Sequence, residues 1–117
     1  MRYVDGYVLP VPRKNLEAYR RLARMGERMW RKCGALDYKE AVGDDLKPAW
    51  GTPFPRVMRL KRGETLVFAY VVFKSRAHRD RVNARVMKEM EKLGPPKEMP
   101  FDVKRMAYGG FKVLVGG

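Results

Sequence analysis

Residues 3–11 alternate Tyr3, Asp5, Tyr7 and Leu9 with Val4, Gly6 and Val8. A period of two predicts a strand, closed by Pro10 and Pro12. From Asn15 the period changes: Leu16, Tyr19, Leu22, Ala23, Met29, Trp30 and Cys33 recur at three- and four-residue spacing. That pattern predicts an amphipathic helix ending at Gly34, with Gly26 inside it at a cost of about 1 kcal/mol relative to alanine. Residues 35–42 read as a second strand, stopped by Gly43, Asp44 and Asp45. Pro48, Pro53 and Pro55 exclude regular structure from residues 47–55, which read as a loop and candidate lid. Residues 57–60 read as a short strand that turns at Arg62 and Gly63 into residues 65–74, the segment richest in β-branched and aromatic side chains. Ser75 is placed to cap a second helix carrying Ala77, Val82, Val86, Met90 and Leu93 on one stripe, ended by Gly94, Pro95 and Pro96. Residues 106–115 read as a last strand in which Gly109 and Gly110 mark a bulge or a close backbone approach.

Strand, helix, strand, strand, helix, strand is the order of an α+β, ferredoxin-like βαββαβ domain, with one antiparallel sheet and both helices on one face. The expectation for the faces is that helices cover Val4, Val8, Val67, Ala69 and Val71. The face carrying Tyr3, Tyr7, Tyr38, Leu66, Phe68 and Tyr70 would then have no cover within the chain.

Composition narrows the setting. The chain has 117 residues with 45% apolar side chains, enough for a single domain that folds without disulfides or a structural metal. The longest apolar run, residues 66–73, is eight residues, less than half of the roughly 20 needed to span a membrane. Asp5, Arg13 and Lys14 interrupt any secretory signal, and with the lone Cys33 the expected location is the reducing cytoplasm. Lys and Arg number 26 against 13 Asp and Glu, a net charge of +13. Residues 13–33 alone hold eight basic residues and two acids, on a helix behind the sheet. A run of this kind is by default a solvated face.

An aromatic sheet face has two uses. RNA-recognition domains of this topology stack bases on strands one and three. Residues 68–73 fit the last six positions of their octapeptide signature, and Tyr3 with Val4 falls where the partner motif lies. The leading basic residue and glycine are replaced by Leu66 and Val67, and much of the charge sits behind the sheet, so nucleic acid is the secondary reading. The primary reading is a homodimer with the two sheets packed face to face and a ligand cavity lined by Tyr3, Tyr7, Tyr38, Phe68, Tyr70, Tyr108 and Phe111.

Several segments carry a family resemblance: residues 3–6 (Tyr-Val-Asp-Gly), 15–21, 34–36 with Tyr38, 42–45, 75–84 from Ser75 through His78 to Ala84, and 99–102 followed by residues 104–106 and 108–111. Together they resemble the small bacterial YbaA-like family, domain of unknown function 1428, nearly end to end. The resemblance implies a dimeric α/β barrel, a superfamily that includes cofactorless monooxygenases, small isomerases and haem-dependent relatives. It implies no reaction, because the family has no established catalytic residues to carry over.

Candidate chemistry is sparse. His78, the only histidine, continues the apolar stripe of the second helix by one turn, and the helix N-terminus disfavours its charged form. It reads either as a general base at a cavity mouth or as a hydrogen-bonded packing residue. Asp5 and Glu40 share the aromatic side of their strands. A carboxylate in an apolar cavity acts as an acid or base, or pairs with an arginine. Asp102, Lys104 and Arg105 precede the last strand, as an ion-pair network or, for Arg105, an anion contact. With one histidine and one cysteine no tetrahedral zinc set forms within the chain, no phosphate-binding glycine loop precedes either helix, and no cofactor is expected. The expected function is binding, with or without transformation, of a small apolar or aromatic molecule, with His78, Asp5 and Arg105 as the candidate chemical groups.

Overall fold

The structure is a computed structural model that describes residues 1–117. In chain order, β1 (Tyr3–Pro12) leads through a 3-10 turn (Arg13–Asn15) into α1 (Leu16–Cys33) and β2 (Asp37–Val42). A helical turn α2 (Phe54–Val57), β3 (Glu64–Phe73), α3 (Arg76–Leu93), a second 3-10 turn (Val103–Arg105) and β4 (Ala107–Lys112) follow. The four strands form one antiparallel sheet in the order β2-β3-β1-β4, the ferredoxin-like arrangement. No helix is long and apolar enough to cross a membrane.

Two elements differ from expectation and a third does not. β1 runs on through Pro10 and ends, as expected, at Pro12. The Arg13 N–H donates to Gly63 O (2.8 Å) while Arg2 O accepts from Val113 N–H (3.0 Å), so odd-numbered backbone groups of β1 face β3 and even-numbered ones face β4. β4 pairs with β1 only as far as Val8, so the prolines lack an N–H where there is no strand to receive it. Residues 57–60 are not a strand: Phe54–Val57 form a helical turn, in whose opening positions Pro55 loses no hydrogen bond. β4 stops at Lys112, the partner of Tyr3 at the start of β1.

The larger correction concerns which face the helices cover. The β1–β3 register pairs Tyr3 with Phe73, Asp5 with Val71, Tyr7 with Ala69 and Leu9 with Val67, so odd positions of both strands share a face. That face is the buried one. Tyr3, Val71 and Phe73 pack against Val82 and Val86 of α3, while Leu9, Val11 and Val67 pack against Tyr19 of α1. Tyr38 and Glu40 lie opposite Val71 and Ala69, and Tyr108 opposite Tyr7, so Tyr3, Tyr7, Tyr38 and Tyr108 all stand on the helix side. Val4 and Val8, expected beneath the helices, belong instead to the open face with Phe68, Tyr70 and Phe111. The expected base-stacking pair of strands is broken in the process, since Tyr3 points under α3.

The glycine pair in β4 marks a close approach rather than a bulge. β4 pairs with β1 without interruption, and a side chain at Gly110 would collide with the Tyr3 hydroxyl and Arg79. Phe73 has no exposed surface and anchors the core beneath α3. Phe73→Ala is therefore expected to lower unfolding free energy by about 3–5 kcal/mol in urea titrations. Val115→Ala, at a position 86% exposed, should change it by less than about 0.5 kcal/mol. A loss below about 1 kcal/mol at Phe73 would contradict the register that buries it.

Candidate functional site: an apolar cleft around Glu40

Helices and sheet do not close completely over one another. Between them lies a cleft of about 390 Å³, lined by 20 residues of which 17 are hydrophobic. Its floor is the helix face of the sheet, with Tyr7, Ala69, Tyr38 and Glu40; one wall is α1, from Tyr19 to Trp30. The opposite side is formed by Met90 and Leu93 at the end of α3 and by Met99, Phe101 and Val103 from the following segment. Small residues line the hollow, Ala23 and Gly26 on α1 and Ala69 on β3. The interior of Gly26 is occupied by a neighbour, since a Cβ there would lie 2.7 Å from the Tyr38 hydroxyl oxygen. The helix thus forgoes about 1 kcal/mol of propensity to admit Tyr38.

Glu40 is the polar centre of the cleft. The Tyr38 hydroxyl donates to its Oε2 at 2.6 Å, and the Tyr19 hydroxyl donates to its Oε1. Glu40 takes part in none of the chain's ion pairs. The two phenols therefore solvate the carboxylate in place of a cation. Burial and the hydrogen bond to Glu40 push both the Tyr19 and Tyr38 phenols far above the ordinary tyrosine range. Tyr7 is pushed up to about 12, chiefly by burial, with the negative charge of Asp5 adding to the shift. All three phenols are protonated at neutral pH.

The residues singled out from the sequence fall into separate places. Tyr7 and Tyr38 line the cleft, joined by Glu40. Tyr108 stacks on Tyr7 at the sheet edge, with ring centroids 5.8 Å apart, and is mostly exposed. Asp5 is buried beside the cleft rather than in its lining. Its Oδ1 accepts from Arg79 Nε at 3.0 Å and its Oδ2 from Asn83 Nδ2 at 3.3 Å. Asn83 Oδ1 in turn accepts from Trp30 Nε1 at 3.0 Å, and the Arg79 guanidinium lies over the Tyr3 ring, 4.9 Å from its centroid. This chain of contacts ties β1 to α3 and fixes Trp30 as a wall of the cleft.

His78 is not among the residues that line the cleft. Its Nδ1 accepts from the Lys74 N–H at 3.0 Å, its ring meets Phe73 edge-on, and its own N–H donates to Ser75 Oγ at the helix cap. Burial lowers its pKa, and the charges of Lys74 and Arg81 lower it further. Arg105 forms a two-point ion pair with Glu64 (Nη1 to Oε2 2.5 Å, Nη2 to Oε1 3.0 Å), and its Nη2 also donates to Arg59 O at 3.0 Å. These bonds pin the turn before β4 to the start of β3, and the guanidinium holds the Glu64 carboxyl below the usual carboxylate range. Phe68, Tyr70 and Phe111 stand on the opposite side of the sheet and line no part of the cleft.

Sequence reasoning passed over Tyr19, Trp30 and the methionines as ordinary helix core. The signal that distinguishes them is a pair of small residues, Ala23 and Gly26, set inside the same apolar stripe.

An α+β sandwich of ferredoxin-like topology, with a ligand-sized apolar cleft between its layers, is the class of protein these observations define. The chain belongs to the DUF1428 family, described as "Protein of unknown function (DUF1428)", whose profile matches residues 2–103. It is 34% identical to "Uncharacterized protein YbaA" of Escherichia coli (strain K12), covering 98% of both chains. The same identity and coverage hold for the protein of that name from Shigella flexneri. Among solved structures it is similar to the de novo designed protein Foldit4, with a TM-score of 0.46 and 15% identity over 95% of this chain and 94% of that one.

The phenols generate a direct expectation at high pH. Of six tyrosines, Tyr7, Tyr19 and Tyr38 should remain protonated at about pH 11 in the folded protein, read by phenolate absorbance. Because their folded-state pKa values exceed the unfolded value of about 10, their stabilisation is complete below pH 10; the Tyr7 part is lost as pH rises through about 12, and the Tyr19 and Tyr38 parts at higher pH still. Ionisation of all six tyrosines near pH 10 without unfolding would contradict the buried cluster.

Proposed function

We propose that the protein binds a small apolar or aromatic molecule in the cleft between α1, the end of α3 and the sheet. The observation that carries this reading is a hollow of about 390 Å³, almost wholly apolar, with one hydrogen-bonded carboxylate in it. Ligand sites are typically apolar concavities of about 300–1,000 Å³ with few polar groups that fix orientation. Exposed Met25, Met90 and Met99 belong to the lining, and their unbranched side chains adapt to more than one shape.

N-phenyl-1-naphthylamine, a neutral fluorescent probe, should bind saturably with one site per chain. Ala23→Phe fills the space between the helix and Ala69, and should weaken that binding by about tenfold or more while leaving the protein folded. No saturable binding, or binding unaffected by Ala23→Phe, would contradict the reading.

The open sheet face supports a homodimer formed by a second copy of this chain. Phe68 and Phe111 are 47% and 62% exposed on it. Contrary to the expectation of a wholly bare face, the loop residues Leu46 and Phe54 stand beside the buried Leu66, while Phe68 and Phe111 stay in contact with water. Self-complementary packing about a two-fold axis would remove these rings from water. Sedimentation velocity at micromolar concentration should give a dimer, and Phe68→Glu a folded monomer. A monomeric native protein would overturn the proposal.

A further inference from the structure

We infer that the ligand of the cleft carries a protonated amine at the end that meets Glu40, an inference that rests on the small-molecule reading above. The polar groups around that end offer lone pairs. The Tyr19 and Tyr38 hydroxyl protons are directed at Glu40, so these oxygens present acceptors to the cleft. Each Glu40 oxygen takes one phenol hydrogen bond and keeps capacity for another. A ligand group that satisfies this arrangement has to donate.

Charge selects among donors. Glu40 has no ion-pair partner within the chain; the two phenols hydrogen-bond its oxygens but bring no positive charge to balance it. The rings of Tyr7, Tyr19, Trp30 and Tyr38 line the same cleft. Aromatic faces carry negative potential, and a group of them attracts an ammonium by cation–π interaction. A neutral alcohol would use the lone pairs but leave the charge unbalanced. A carboxylate ligand would meet repulsion from Glu40. The overall charge of +13 opposes a cation at a distance, but at physiological salt that repulsion is screened beyond about 8 Å, so the local carboxylate decides. The remaining apolar lining, out to Met90 and Met99, accepts an aliphatic or aromatic body.

The test uses one ring system with three head groups: 1-naphthylmethylamine, 1-naphthalenemethanol and 1-naphthoate, each titrated calorimetrically into the native protein at neutral pH. The expected order is amine tightest, by about tenfold over the alcohol, with naphthoate weakest. Glu40→Gln should abolish the amine's advantage over the alcohol. If the alcohol or the acid binds as tightly as the amine, or if Glu40→Gln keeps the preference, the inference falls and cleft binding stands. If none of the three binds, the small-molecule reading itself falls. The ranking on native protein decides the matter even where Glu40→Gln fails to fold.

Discussion

The pairing of β1 with β3 at Tyr7 and Ala69 is the constraint on which the rest of the molecule depends. It sets odd positions of both strands under the helices, and a shift of one residue would carry the whole aromatic set to the other side. With it, Tyr3 and Phe73 form a core with α3, Leu9 and Val67 form a second with α1, and the space between these two clusters is the cleft. β2 continues the same face with its even positions, Glu40 lying opposite Ala69, which brings the carboxylate under Tyr19. Core and site are thus consequences of one register.

Two devices keep the hollow open and shaped. Small side chains at Ala23 and Ala69 leave volume where leucine or phenylalanine would fill it, and Gly26 makes room for the Tyr38 hydroxyl. Polar bonds then hold the larger residues at its edge: Tyr38 and Tyr19 to Glu40, and Trp30 through Asn83 to the Asp5–Arg79 pair. Hydrogen bonds to charged groups contribute about 1.5–3 kcal/mol each, enough to resist collapse of the aromatic walls into the space.

Much of this is legible in the residues themselves. The element order followed from periodicity, and the resemblance in segments such as residues 75–84 pointed to the family that the full-length comparison shows. Tyr7, Tyr38, Asp5 and Glu40 were also correctly placed on one side of the sheet. What periodicity could not give was the side on which the helices lie, because both faces of β1 and β3 are apolar enough to be buried. Val4 and Val8 look as much like core as Leu9 and Val11 do. Residues 57–60 misled for a related reason: a short apolar stretch after prolines suits a strand or a helical turn equally, and Pro53 and Pro55 favour the turn. His78 and Arg105 stand out as rare or charged groups, yet His78 is taken up locally by the Lys74 backbone four residues earlier, and Arg105 by Glu64, a tertiary neighbour that spacing does not reveal.

The central claim is that Glu40 and its phenols face an apolar hollow beneath the helices, and that a ligand occupies it. The most direct measurement is a crystal structure of protein purified without any ligand-stripping step. The account predicts extra density beside Glu40, bounded by Trp30 and Tyr7. A cleft closed by inward movement of Met29 and Met90, or Tyr7 and Tyr38 turned to the open side of the sheet, would contradict it.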